Sequence, residues 1–376
     1  MSGPSITELK SRRPLDGKIV YVNGKEKLLK YGITEIEKCA YEADENIESV
    51  ILPNSVISIG DRAFACCRKL KSVTLMSGVT SIGKEAFTGC WQLESIPLPG
   101  SVTSIGSRAF ANCDNLVSIN IPKVTKIEWG AFSDCKSLKK ITLEEGVVSI
   151  GPNVFVSCKS LESIYIPASV SKIEGNPFCG FKGKLEVSPE SKHFKTIDGN
   201  LYSIDGKTMI SYVDSGDRTE FSVPDGVTSI GAAFGLFFGL HSSLEKITLP
   251  QGITEIGAMA FSYCDSLVSI NIPNSVTAIG DSAFSYCENL ESVTIPNRVV
   301  SIGKYTFSRC KGLKSVCIPE SVTSIGNNAF ENCDSLKEIH YGGSAFSWKK
   351  IKIDSLGNNK LNGKLFERAK IRYKSK

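Results

Sequence analysis

Histidine is nearly missing from this chain of 376 residues, with only His193, His241 and His340 present. General acid–base catalysis usually needs a histidine or a perturbed carboxylate held against a nucleophile, so an enzyme would have little to draw on here. The Gly-x-Ser-x-Gly elbow, the phosphate loop and His-Glu-x-x-His are all absent, which removes the motifs that most directly announce hydrolysis or nucleotide binding. Thirteen cysteines contain no Cys-x-x-Cys pair, so the usual zinc spacing is missing. Asp198-Gly199 and Asp205-Gly206 lack the alternating acids of a calcium loop and read as turns. No catalytic residue, cofactor or metal is expected. No apolar run approaches the ~20 residues of a membrane span, and no Asn-x-Ser/Thr acceptor for N-glycosylation occurs. Met1 to Arg13 is polar and lacks the apolar stretch of an export leader. The expectation is that either the chain is cytosolic or a leader has been removed.

Net charge is small over most of the molecule as well. The formal net charge is +5, yet residues 349–376 hold ten Lys or Arg against Asp354 and Glu367, leaving the remainder slightly acidic. A phosphate-binding groove needs a continuous basic track, so a nucleic-acid partner is not expected. The basic tail could meet an anionic surface. Trp348, Ile351, Ile353 and Phe366 give it an apolar anchor, and a closing cap is the preferred reading.

What the chain has in abundance is repetition. The phrase Val56-Ile57-Ser58-Ile59-Gly60-x-x-Ala63-Phe64-x-x-Cys67-x-x-Leu70-x-x-Val73-x-Leu75 returns twelve times. Its aromatic falls at Phe64, Phe87, Phe110, Phe132, Phe155, Phe178, Phe238, Phe261, Phe284, Phe307 and Phe330, with Tyr41 in that place at the start. A spacing of 22 or 23 residues is the period of a solenoid, whose coils bury their apolar side chains only against their neighbours. Within each unit, Leu116-Val117-Ser118-Ile119-Asn120-Ile121 and its equivalents alternate in the strand pattern. A proline such as Pro122 then ends the ladder. Val-Thr-x-Ile-Gly supplies a second extended piece, its glycine read as permitting a turn. Ala-Phe-x-x-Cys is expected to form a helical turn with Phe and Cys on one inward face. Nine cysteines, from Cys67 to Cys333, sit three residues after the repeat aromatic, and a column of buried thiols is the preferred reading. Cys317, at an outward strand position, is expected to be the most reactive thiol.

These units resemble the BspA-like leucine-rich repeats, over residues 33–341. The resemblance implies a right-handed, β-rich leucine-rich-repeat solenoid with parallel strands, short helical turns and a hairpin insertion. It further implies a role in adhesion or protein binding at the surfaces of host-associated microbes. The expected organisation is a polar leader and cap hairpin around Asn23-Gly24 (1–32), a first repeat block (33–181), a β-hairpin insertion (182–226), a second block (227–341) and a C-terminal cap (342–376).

Outward strand positions form a small, polar, nearly neutral face. Its candidate contacts are Asn120, Lys140, Thr142 and Tyr165 in the first block, and Lys246 and Asn271 in the second, with Tyr165 the sole aromatic anchor. Between Ile230 and Phe238 the chain gains three residues, and Phe234 and Phe237 are candidates for a protruding patch. The leading expectation is a monomeric, non-enzymatic solenoid that binds a protein, such as an extracellular-matrix or host-surface component. An intracellular scaffold is the alternative, and an enzyme with a site near the insertion is the third reading.

Overall fold

In the computed structural model, the described residues are 19–22 and 25–28 (backbone only), 33–213, 218–230, 243–354, 366 and 368–374. The chain forms two units, residues 1–194 and 195–376. Each is a β-solenoid built from the repeat.

In the first unit the coils contribute strands to two ladders. One comprises Ser49–Leu52, Ser72–Leu75, Ser118–Ile121, Lys140–Leu143, Ser163–Ile166 and Lys184–Val187. Parallel register places equivalent residues side by side, as in Lys140↔Ser118 and Thr142↔Asn120. Ser118–Ile121 alternates exposed and buried residues, so Ile119 and Ile121 face the core. The ladder thins at residues 95–98 to a single bridge, Ser72↔Ser95, where Pro97 lacks the N–H that a strand position requires. The second ladder is a continuous seven-stranded sheet of two-residue strands running from Glu35–Ile36 to Lys172–Ile173. At the N-terminal end Ile19–Val22 and Lys25–Leu28 form an antiparallel hairpin, and the first of them pairs antiparallel with Ser49–Leu52. It covers an edge that would otherwise present open backbone groups.

The third side of each coil departs from the expected helical turn. From Gly60 to Cys67 the chain runs through overlapping β-turns, with Ala63, Ala65 and Cys67 N–H donating back to the Gly60, Arg62 and Phe64 carbonyls. The intervening N–H groups of Arg62, Phe64 and Cys66 donate to Lys84, Ala86 and Thr88 of the next coil, at 2.6–2.8 Å. A helix would spend all these donors within its own segment. Left-handed backbone at Arg62 (φ 57°) and Cys66 (φ 60°) turns alternate donors along the stack instead.

The Ile-Gly glycine also has a different cause from the one read in the sequence. A Cβ on Gly60, Gly83 or Gly106 would lie 2.7 Å from backbone of the preceding coil. Close approach of coils selects glycine there, not a positive φ.

Side chains pointing inward form continuous columns. In the first unit Tyr41, Phe64, Phe87, Phe110, Phe132, Phe155 and Phe178 stack with centroids 5.1–6.0 Å apart. In the second unit Phe261, Phe284, Phe307 and Phe330 do the same, and Phe366 meets Phe330 edge-on. The cysteines lie beside the rings. Cys90 and Cys113 donate their thiols to the Phe64 and Phe87 carbonyls of the preceding coil, at 3.1 and 3.3 Å, and Cys287, Cys310 and Cys333 repeat the contact. Burial pushes the Cys67 and Cys158 thiols up to about 12, and those of Cys90, Cys113 and Cys135 well above the ordinary range.

The strand Phe194–Ile197 spans the boundary in sequence, and the second unit continues with Asn200–Ser203 and Thr208–Ser211, which pair antiparallel. Left-handed Asp198 and Gly199 make the first connection, the residue pair that a tight hairpin turn selects. Thr208–Ser211 then pairs parallel with Ser229–Ile230 and so starts a ladder of the repeats. Tyr202 and Met209 are fully buried in this unit's core. At the far end a helical turn, Ala345–Trp348, begins at a Ser344 capping box, and Lys370–Tyr373 pairs parallel with Glu338–Tyr341.

Candidate functional site

Parallel register turns the outward strand positions into columns on one face of each unit. In the first unit it brings Asn120, Lys140, Thr142 and Tyr165 onto three consecutive strands. Tyr165 is 47 % exposed and lies opposite Glu186, which pairs with Lys184. Asn120 Nδ2 donates to Glu144 Oε1 at 2.7 Å, a partner that strand alternation could not reveal because Glu144 lies beyond the strand. Lys140 is exposed and has no carboxylate partner among the described residues.

In the second unit Thr248 and Asn271 are cross-strand neighbours, and Lys246 sits between Glu220 and Ser269. Lys246 Nζ lies 3.2 Å from Glu220 Oε2. These residues line a shallow concavity of about 230 Å³, together with Ser292 and Thr294. Its floor is a seam. The strands Lys246–Thr248 and Ser269–Asn271 belong to one sheet, whereas Ser292–Thr294 begins another. On the neighbouring ladder Gly280 and Gly326 donate to the preceding coil (2.9 and 2.8 Å), and so do Thr277 and Thr323. The corresponding N–H groups of Val300 and Gly303 make no such bond. The coils stay joined on the turn side through Ser282, Phe284 and Tyr286 N–H.

Further along, Arg372 donates to Glu338 Oε1 at 2.6 Å, and this guanidinium holds the Glu338 carboxyl below the usual carboxylate range. His340 Nε2 approaches the other oxygen of Glu338 at 3.3 Å. Cys317 lies between Thr294 and His340 and is half-buried, while Cys39 is the exposed thiol. His193 is exposed beside Phe194. His241, Phe234 and Phe237 lie outside the described residues.

Such a face offers hydroxyls, amides and isolated charges on a fixed backbone grid. It can present hydrogen-bonding groups to a macromolecule without ordering them first. Among the described residues no group of three His, Cys, Asp or Glu side chains could hold a metal ion, and no helix is long and apolar enough to cross a membrane.

Comparison with known proteins follows from this geometry. A sequence model described as "BspA type Leucine rich repeat region (6 copies)" matches residues 25–137, 81–207, 122–234 and 235–362. The chain belongs to the BspA-type leucine-rich repeat family. Among solved structures it is similar to a leucine rich cell surface protein from Faecalibacterium prausnitzii A2-165, with 33 % identity, TM-score 0.73 and 86 % of each chain covered. It also shares the fold of the pneumococcal vaccine antigen PcpA, with 23 % identity, TM-score 0.64, and 91 % and 85 % of the two chains covered. A leucine-rich repeat protein from Eubacterium ventriosum is similar at 21 % identity and TM-score 0.55, over 77 % and 79 %. No curated protein sequence matches the chain. Membership of this family and similarity to a cell surface protein suggest a protein-interaction or adhesion repeat protein.

Proposed function

We propose that this BspA-type protein is a non-enzymatic adhesion solenoid, displayed at a cell surface, that binds a protein partner through its strand face. The carrying observation is the assembly of Asn120, Lys140, Thr142 and Tyr165 on adjacent strands, with one exposed aromatic ring and one ammonium that has no carboxylate partner among the described residues. Anchors of this kind, Tyr with polar neighbours on a rigid frame, carry much of the energy of protein interfaces. The concavity holding Lys246 and Asn271 is a second contact region on the same face of the second unit. Relatedness to a cell surface protein supports the location.

Thirteen free thiols would ordinarily favour a reducing, intracellular setting. Here that argument loses force, because the column thiols are buried, Cys90 and Cys113 are hydrogen-bonded to backbone carbonyls, and burial pushes the thiols of Cys90, Cys113 and Cys135 well above the ordinary range. A thiol that cannot ionise or reach an oxidant tolerates an oxidising exterior.

The test is surface plasmon resonance of the intact chain over immobilised collagen, laminin and fibronectin. At least one surface should bind it, with Tyr165→Ser plus Lys140→Glu weakening binding by about tenfold or more and Lys246→Glu giving a smaller loss. Binding unchanged in every face variant would remove the strand face from the account. Absence of binding to all three proteins would count against adhesion.

A further inference from the structure

One corner of the first unit carries a site unrelated to the strand face. The residue after each column cysteine sits at a coil corner, and successive coils place Arg68, Trp91, Asp114, Lys136 and Lys159 there. Four of the five are charged. Trp91 is the exception, and it remains 46 % exposed. An isolated indole in a charged row of a repeat has no packing role that the other coils need filled.

Trp91 is also held in place. The Arg68 guanidinium lies over its ring, with Cζ 4.6 Å from the centroid, and Arg68 makes no ion pair among the described residues. The Trp91 carbonyl accepts from Asn115 N–H at 3.1 Å. Asp114 Oδ2 accepts from Lys136 Nζ at 2.8 Å, which fixes the next side chain along the row. Around Trp91 opens a concavity of about 440 Å³, lined by Arg68, Lys69, Gln92, Asp114 and Asn115, with Glu45 of the first coil at its end. That volume falls within the roughly 300–1,000 Å³ of small-molecule sites. At ~30 Å³ per water it equals on the order of fifteen waters, enough for a ligand of one or two sugar rings.

The lining decides the ligand class. An apolar ligand would find one aromatic surface and otherwise polar walls. Asp114 is taken up by Lys136 and Glu45 stands against Arg68 and Lys69, a small positive excess that makes no continuous track for a polyanion and no site for a polycation. What remains is a neutral, polyhydroxylated ring. Its hydroxyls donate and accept, matching the amides of Gln92 and Asn115, the carboxylates and the planar guanidinium. Arg68 covers one face of the Trp91 ring, and the polarised C–H face of the sugar would stack on the other.

We propose that this corner concavity, built from two residues in each of three consecutive coils and Glu45 of the coil before them, is a saccharide-binding site with Trp91 as its platform. It is independent of the strand face, so either assignment can fail without the other.

The experiment uses the intact chain and a panel of methyl glucoside, methyl galactoside, N-acetylglucosamine, maltose, cellobiose and lactose. Binding is read by saturation-transfer NMR and by tryptophan fluorescence. At least one sugar should bind saturably, with a Kd on the order of 1 mM as befits an open site. Trp91→Ala should abolish binding, and Gln92→Ala with Asn115→Ala should weaken it about tenfold. Trp129 is the internal control, because it too is exposed and overlaid by an arginine, Arg108 at 5.5 Å, yet lies outside the concavity. Trp129→Ala should leave binding intact. No saturable binding by any of the six sugars would overturn the proposal, as would binding that survives Trp91→Ala or is lost in Trp129→Ala.

Discussion

Replacing Phe110 by alanine interrupts the ring column in the middle of the first unit. Phe110 is fully buried, with Phe87 and Phe132 stacked on its two faces at 5.4 and 5.3 Å. Its carbonyl accepts the Cys135 thiol at 3.1 Å. Truncating a core phenylalanine costs about 3–5 kcal/mol, depending on how far the site collapses. Collapse is restricted here, because Phe110 N–H is tied to Ala131 of the next coil and Phe87 N–H to Ala109. Two lost ring contacts, each worth about 0.5–1.5 kcal/mol and partly contained in that figure, place the expected loss near the upper end, at ~4–5 kcal/mol. Tyr41 stacks on Phe64 at 5.1 Å and is half-buried at the end of the column, so Tyr41→Ala should cost about half as much. Phe346 is 70 % exposed, and Phe346→Ala should stay within ~0.5 kcal/mol. The assay, in a Trp348→Phe background, is urea unfolding followed by circular dichroism and by the fluorescence of Trp91 and Trp129, which report the first unit. Repeat arrays can lose two-state behaviour, so coincidence of the two signals is part of the result. A Phe110→Ala cost below ~1 kcal/mol, or one no larger than that of Tyr41→Ala, would refute the reasoning that each coil is stabilised through its neighbours.

Two further outcomes are expected. By hydrogen exchange, the Val300 and Gly303 amides should exchange at least about tenfold faster than those of Thr277, Gly280, Thr323 and Gly326, an opening difference of ~1.4 kcal/mol or more; equal protection would mean the seam is closed. The second concerns alkaline pH. Cys67 and Cys158 titrate at about 12 in the fold and near ~8.5 in an unfolded chain. Their contribution is complete below that lower value and is lost as pH rises toward the folded one, at ~1.4 kcal/mol per pH unit for each thiol. Urea midpoints should therefore fall above about pH 8.5, and more shallowly in a Cys67→Ala plus Cys158→Ala variant. Identical slopes in the two proteins would show that Cys67 and Cys158 ionise alike in both states.

The stacking of coils was legible because one aromatic recurs at a spacing of 22 or 23 residues and nothing but a solenoid uses such a period so strictly. The strand face was legible for a related reason, since alternation in Ser118–Ile121 fixes which side chains point outward and equal spacing fixes which become neighbours. Asn120 and Thr142, or Thr248 and Asn271, could thus be paired from the sequence. What stayed hidden depends on contacts between coils. The Gly60 equivalents looked like turn residues, because the carbonyl of Ile36 that crowds the missing Cβ is 24 residues away in sequence. The segment around Phe64 looked helical, because its i to i+3 spacing is real while the donors leaving for Ala86 cannot be seen locally. The corner concavity escaped for the same reason. Trp91 was the available signal, an aromatic in a row of charges, but its setting comes from coils on both sides.

The most direct test of a sealed inner column is a thiol count on the folded chain with Ellman's reagent, without reductant. The account predicts reaction of the three thiols outside the core, Cys39, Cys66 and Cys317, and protection of the ten buried thiols until denaturant is added, when all thirteen react. Fast reaction of the column cysteines in the native protein, or a total short of thirteen after unfolding, would contradict it.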